Sequence, residues 1–367
     1  MIYVEDFVKF LQNNKINFFS GVPDSCLKLF TSYLDKFKKG KNLVATNEGS
    51  AVSLGIGYYL STKKIPLIYM QNSGLGNAIN PLISIAHKKV YSIPLLLMIG
   101  WRGSKYNHDE PQHQTKGKIT PQLLKLLNVS YCVLRKKKDL IKLQKLIKKA
   151  RHTKKTVACL IEKNVLKKRK KYLNKIDNKY NISREIFISE FLRLIPHNTR
   201  IISTTGYTSR ELAQIRNEKK LLKGKDFYMV GGMGHSSMVS LGYSLHSNKQ
   251  VVCLDGDGSL LMHFGSLRNI AYYANSNLKH ILLNNDAHES VGGQVTSASG
   301  IDFKSLVRSL GYKNYFKILH NKEINLILKK FLRSKGPSFL EVFISQGTLD
   351  NLLRINNLIK IKDQFMK

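Results

Sequence analysis

The residues best placed to do chemistry are two acids and two amides at the ends of apolar runs. Asp255 and Asp257 alternate with Gly256 and Gly258, ahead of Ser259, where the run Val251–Leu254 ends, and Asn284–Asn285–Asp286 closes a second run, Ile281–Leu283. A carboxylate, an amide oxygen and a nearby backbone carbonyl form an oxygen-only set suited to Mg²⁺, which completes its octahedron with water and phosphate oxygens. Glycines beside the acid let a ligand approach the backbone closely. The stretch between the two motifs has room for a helix. The spacing therefore predicts one βαβ unit from which Asp257 and Asn285 emerge side by side, at the strand ends where α/β proteins collect ligands. A lone Gly-Asp-Gly is an ordinary turn; paired with Asn-Asn behind a second apolar run, it reads as a metal-diphosphate clamp.

Two further groups stand beside it. Thr208 followed by Glu211 fits a capping box, which puts the turn Thr205–Gly206–Tyr207 at a helix start, where free backbone amides hold an anion. Glu48, in Val44–Ala51, follows an apolar strand and precedes a helix of small residues; by composition alone it is an acid favoured by the helix dipole.

The elements that must position these groups alternate. Asn42–Thr46 reads as a strand, Gly49–Leu60 as a helix, Pro66–Met70 as a strand, Asn77–His87 as a helix and Ile93–Ile99 as a buried strand. The polar stretch Arg102–Gly117 reads as a long connection, and such loops are commonly functional, which singles out Asn107–Gln114. The second half repeats the alternation, with strands at Arg200–Ser203, Phe227–Val230, Val251–Leu254 and Lys279–Leu283 and a helix from Ser209. The expected class is α/β, with two domains that are each a parallel sheet flanked by helices. The expected boundaries are 1–165, a basic linker 166–182, and 183–367. No repeat of solenoid type is visible.

Composition sets the limits. A chain of 367 residues that is 43% hydrophobic can bury two ordinary cores. Sixty Lys+Arg against 24 Asp+Glu leave a formal charge of +36. That charge would attract nucleic acid, acidic membranes or anionic substrates. The abundance of Lys, Asn and Ile reads instead as a bias spread over solvated surface, and few aromatics interleave the basic stretch Arg135–Lys179 to stack on bases. Cys26, Cys132, Cys159 and Cys253 form no CxxC pair and sit among apolar residues, so reduced, buried thiols are expected. The acids at Glu5 and Asp6 are unlike a secretory signal, and the run Ile93–Trp101 is too short to cross a bilayer. A cytoplasmic protein that binds neither membrane nor nucleic acid is expected.

The GDG and NN motifs, with Glu48 in the other half, resemble the thiamine-diphosphate enzymes. The resemblance implies thiamine diphosphate and Mg²⁺ as cofactors and two domains of the thiamine-diphosphate-binding fold, an N-terminal pyrimidine-binding and a C-terminal diphosphate-binding one. It implies that Asp257, the Asn285 side chain and the Ala287 carbonyl bind the metal, with Gly256, Gly258, Ser259 and Thr205–Gly206–Tyr207 near the diphosphate. Gly231–Gly232–Met233–Gly234–His235 resembles the segment behind the cofactor, Met233 propping its two rings into a bent shape. Glu48 would be the catalytic glutamate, serving a cofactor held by another subunit, so that a homo-oligomer of at least two chains is implied.

Gly21–Ser25, Asn72–Asn77, Asp109–Gly117, Thr208–Leu212 and His288–Gln294 narrow the resemblance to the phosphonopyruvate decarboxylases, with sulfopyruvate decarboxylases next. That branch implies decarboxylation of a small anionic 2-oxo acid, 3-phosphonopyruvate, to an aldehyde and CO₂. Asp24 and His113 match positions of proton-transfer groups. Arg210, His288 and Ser290 are candidate substrate contacts, and Glu289, just beyond the metal motif with His288, is a further one. A carboligase using the same cofactor and a basic nucleic-acid-binding protein remain as alternatives.

Overall fold

A computed structural model of the chain describes residues 1–38, 40–104, 109–169 and 180–367. The chain divides into two compact units, Met1–Asn174 with Ser290–Val295, and Lys175–Glu289 with Thr296–Lys367.

Each unit is built on one six-stranded sheet whose described pairings are all parallel. In the first the spatial order is Asn42–Val44, Phe19–Gly21, Leu67–Gln71, Leu96–Gly100, Val157–Ile161, Ser130–Leu134. In the second it is Lys225–Tyr228, Arg200–Ser203, Val251–Gly256, Leu278–Asn284, Ser338–Phe343, Asn314–Ile318. Numbered by chain order within each sheet, both run second, first, third, fourth, sixth, fifth. The order reverses between the first and third strands, and it is outside the carboxyl ends of such a pair that open α/β sheets bind ligands. The central strands Leu96–Gly100, Val157–Ile161 and Leu278–Asn284 are buried throughout, as expected of parallel strands covered on both faces. Each sheet has apolar cores on its faces, one around Phe7, Phe19 and Phe30 in the first unit and one around Phe187, Phe191 and Phe331 in the second.

Several elements depart from the sequence expectations. The connection expected across Arg102–Gly117 is in part the start of a helix, Pro111–Leu126. Pro111 occupies its first turn, where a missing N–H costs nothing, and polarity alone disguised the helix. Residues 105–108, the middle of that connection, lie outside the described residues. The helix expected at Asn77–His87 begins earlier, as a 3₁₀ turn Asn72–Gly74 continuing into Leu75–Pro81, and ends as a π-helical turn, Leu82–Ala86, directly after Pro81. The capping box expected at Thr208 and Glu211 does not form. Gly206, at φ +98°, is the N-cap of helix Tyr207–Lys219, and the Glu211 carboxylate is taken by Arg184. Within the span expected as linker, Leu166–Lys167 pairs in parallel with Ile2–Tyr3, and residues 170–179 lie outside the described residues. No helix among the described residues is long and apolar enough to cross a membrane.

Candidate functional site

In the first unit the site begins where strand Asn42–Val44 turns into helix Glu48–Thr62. The Asn47 side chain caps that helix, accepting from Ser50 N at 2.9 Å, and this fixes Glu48 as the first helical residue. Glu48 is buried, and its Oε2 accepts from Asn77 Nδ2 at 2.8 Å. Burial pushes its carboxyl above the ordinary glutamate value, and the Asn77 bond only partly offsets that. Gly74 makes the room. A Cβ there would lie 1.9 Å from Glu48 Oε1.

At the reversal of strand order, Asp24 follows the first strand and Gln71 ends the third. Gln71 Nε2 donates to Asp24 Oδ1 at 2.6 Å, Cys26 N donates to Oδ2 at 3.1 Å, and Ser73 Oγ donates to Gln71 Oε1 at 2.8 Å. Asp24 is fully buried, which raises its carboxyl, and Gly100 leaves the space it needs, since a Cβ there would meet Oδ2 at 1.9 Å.

Beyond the fourth strand, Arg102 donates to Ser25 Oγ at 3.0 Å and forks onto Asp109. Asn72 ties this corner together, its Nδ2 donating to Arg102 O and to Thr120 Oγ1, both at 2.9 Å. His113 is buried on the helix that starts at Pro111, and its Nδ1 has no hydrogen-bond partner among the described residues. Burial and then the Arg102 charge push its pKa down to about 4, so the ring is neutral at pH 7.

In the second unit Asp257 follows the third strand. Gly256 pairs in register with Leu283, so Asp257 and Asn285 leave neighbouring strands at the same end. Asp257 is buried, with Thr296 Oγ1 donating to Oδ2, and burial, with Asp286 adding to it, pushes its carboxyl up to about 7. Asp257 also takes backbone hydrogen bonds from Gly258 and from its own amide, and a buried carboxyl still raised this far despite them is a group that a cation would satisfy. Asp286, at φ +56°, makes the turn after Asn285, and Asn285 Oδ1 accepts from Ala287 N at 3.1 Å. The Asp257 carboxylate, Asn285 Oδ1 and Ala287 carbonyl are the hard oxygen donors that Mg²⁺ takes.

Ser259 draws the surrounding loops together. Its hydroxyl accepts from Thr204 Oγ1 at 2.8 Å and from Gly234 N at 3.1 Å, linking the turn before Gly206 to the glycine segment. In that segment Gly232 and Gly234 have φ of +62° and +87°, and Met233 is half-buried. His288 is buried beside Gly258, whose Cβ would stand 2.7 Å from the ring, and burial lowers the imidazole to about 4.

Not every expected residue joins this set. Arg210 spends its guanidinium on the carbonyls of Leu352 and, at 3.0 Å, Leu353. Glu289 is held by Arg184, and Ser290 is exposed in the short segment that clusters with the first unit. Separately, Cys253, Asp255 and His280 bring possible ligand atoms within 4.8 Å of one another. They are shut away from solvent, with Asp255 Oδ1 accepting from Gly256 N at 3.0 Å and His280 Nδ1 meeting Tyr312 OH at 3.2 Å.

The N-terminal TPP binding domain of thiamine pyrophosphate enzymes matches residues 1–124, and the C-terminal TPP binding domain of the same enzymes matches residues 204–342. The chain belongs to the thiamine pyrophosphate enzymes. Its cofactor is thiamine diphosphate, and the two parallel α/β units are the fold expected of the family. The phosphonopyruvate decarboxylase of Streptomyces viridochromogenes is 30% identical, over 96% of this chain and 91% of that one. The phosphonopyruvate decarboxylase of Streptomyces hygroscopicus is 29% identical, over 96% and 90%. The sulfopyruvate decarboxylase of Methanosarcina acetivorans is 28% identical, over 82% and 81%.

Sequence reasoning missed Arg102, Arg184 and Thr296. Arg102 had a usable signal, as the first charge beyond a buried strand. Arg184 and Thr296 had none, because their partners are distant in the chain.

Proposed function

We propose that the protein is a lyase that converts 3-phosphonopyruvate to phosphonoacetaldehyde and CO₂, using thiamine diphosphate and Mg²⁺. The observation that carries this reading is the likeness to two phosphonopyruvate decarboxylases across 96% of the chain. The 28% identity to a sulfopyruvate decarboxylase favours a second reading, the same reaction on the sulfonate.

When bound, thiamine diphosphate supplies the electron sink for loss of the carboxylate. In this reading residues 1–165 bind its pyrimidine, 166–182 join the halves and 183–367 bind its diphosphate. Asp257, Asn285 Oδ1 and the Ala287 carbonyl hold Mg²⁺. The amides of Thr205, Gly206 and Tyr207, together with Gly256, Gly258 and Ser259, cradle the diphosphate, and Gly231, Gly232 and Met233 back the rings. Glu48, with its raised carboxyl, holds a proton toward the aminopyrimidine. Asp24 and the neutral His113 move protons near the reacting carbon. His288 is buried close enough to Gly258 to face the substrate, while Arg210 and Ser290 are weaker candidates for contact.

Glu48 lies in the first compact unit and Asp257 in the second, and in this reading the chain is a homo-oligomer, at least a dimer, in which Glu48 serves a cofactor held by a partner subunit. Four free, buried cysteines support a cytoplasmic location.

The test is to supply thiamine diphosphate and Mg²⁺ with phosphonopyruvate, sulfopyruvate or pyruvate and to measure CO₂ and aldehyde. Phosphonopyruvate is expected to turn over fastest. Turnover of phosphonopyruvate no faster than pyruvate would sink the assignment, and faster turnover of sulfopyruvate would replace it with the second reading.

A further inference from the structure

Asn285 Nδ2 donates to Glu289 Oε2 at 3.0 Å. The same oxygen accepts from Arg184 Nη2 at 2.6 Å, while Glu289 Oε1 accepts from Gly347 N. Arg184 is buried at the start of helix Arg184–Leu194, and its other arm donates to the buried Glu211 at 3.1 Å and to Gly347 O at 3.3 Å. Its guanidinium carbon lies 6.0 Å from the centre of the Tyr207 ring, in the turn assigned to the diphosphate. Three other stretches of the chain, helix Tyr207–Lys219, the Asn285–Glu289 turn and Gly347, thus meet on one buried cation.

The ends of an amide side chain are alike in size, and neighbouring donors and acceptors decide which end faces which way. An ionised carboxylate only accepts. Glu289 can therefore take only the NH₂ end of Asn285, which leaves Oδ1, the sole atom of that side chain able to ligate a hard cation, on the other side, where Ala287 N donates to it at 3.1 Å and reinforces the same orientation. Arg184 on Oε2 and the Gly347 amide on Oε1 together allow Glu289 one position, because both carboxylate oxygens are already engaged. A buried ion pair is a poor source of net stability, since desolvation cancels most of the attraction. Orientation of the amide at its end is the better account of why this one is built.

We propose that Glu289, locked by Arg184, is a positioning residue that sets the amide of Asn285 for Mg²⁺, and so tunes metal affinity rather than the chemical step. The inference rests on the reading of Asn285 as a magnesium ligand. It also removes Glu289 from the candidate substrate contacts.

The experiment is calorimetric titration of Mg²⁺ into the full-length protein at saturating thiamine diphosphate, beside melting of the cofactor-free protein. Glu289→Gln, whose amide can present either end to Asn285, is expected to weaken Mg²⁺ binding about 10- to 100-fold, the usual effect of losing a partner behind a metal ligand. Its cofactor-free melting temperature should stay within a few degrees of wild type, and kcat should recover at high Mg²⁺. Arg184→Lys keeps the charge but cannot fork, and should show a smaller loss; it carries the test if Glu289→Gln does not fold. Wild-type Mg²⁺ affinity in a folded variant, or a loss that appears only with a collapse in melting temperature, overturns the inference alone. A wild-type protein that takes up no thiamine diphosphate with Mg²⁺ overturns the inference and the proposed function together.

Discussion

The two units thread six strands in the same order yet carry different chemistry at corresponding strand ends. After the second strand the first unit has Glu48 and the second has the glycines around Met233. After the third come Asn72–Gly74 in one and Asp257–Ser259 in the other, and after the fourth, Arg102 and Asn285. In both, a hydrogen bond joins the segments at the reversal of strand order, Gln71 to Asp24 at 2.6 Å and Thr204 to Ser259 at 2.8 Å. The sheet decides where ligands collect, and side chains decide which ligands. Glu48 and Asp257 are both buried acids with raised carboxyls. Glu48 faces an amide and a bare glycine, a setting for holding a proton. Asp257 has Asp286 nearby, a setting that invites a cation.

The sharpest way to break this comparison is to neutralise each acid in turn. Glu48→Gln should slow exchange of the cofactor's C2 proton by about 10²–10⁴, the usual worth of a positioned acid-base group, with Mg²⁺ and thiamine diphosphate uptake unchanged. Asp257→Asn should instead lose that uptake, measured by dialysis. If both variants fail at the same step, the division of labour is wrong. A pH scan adds to the first variant. Because burial raises the Glu48 carboxyl, its contribution to stability is complete below the ordinary glutamate value and is lost as pH rises through the folded one. Cofactor-free Glu48→Gln should therefore melt above wild type near pH 8 and approach it near pH 4.

A smaller effect comes from filling the spaces beside the two sites. Gly74→Ala puts a Cβ 1.9 Å from Glu48 Oε1, and Gly258→Ala puts one 2.7 Å from the His288 ring. Each should cost about 1–3 kcal/mol in denaturant unfolding, as overpacking does. The first should keep cofactor and lose turnover, and the second should lose cofactor. The same defect in both would merge the two sites.

The smallest effect concerns His113. Its pKa in the folded chain, about 4, lies below the ordinary 6.5, so the stability it contributes is complete above pH 6.5 and lost as pH falls toward 4. In His113→Gln the melting temperature should fall less over that window. An unchanged slope would mean that the ring is not desolvated.

Much of this was legible from local pattern. Apolar runs ending in Gly-Asp-Gly and Asn-Asn revealed adjacent strands, because a parallel strand buried on both faces must be continuously apolar and its ligands must follow it. The helix starting at Pro111 was hidden by its polarity. Thr208 and Glu211 had the capping-box spacing, but a buried arginine outcompeted the backbone for the carboxylate. The matching strand order of the two halves left no sequence repeat, since many residue types satisfy the same pattern of burial.

The sequence by itself determined the residue types of the proposed metal clamp, the βαβ unit that carries them and the acid at position 48, because these depend on short-range spacing. Tertiary structure alone decided which atoms those residues use. That Gly74 must be bare for Glu48, that Asp24 accepts a hydrogen bond from Gln71, and that Asn285 is turned by a carboxylate answering to Arg184 all follow from contacts between segments far apart in the chain. Burial then sets their protonation, and no local pattern encodes burial of a charge.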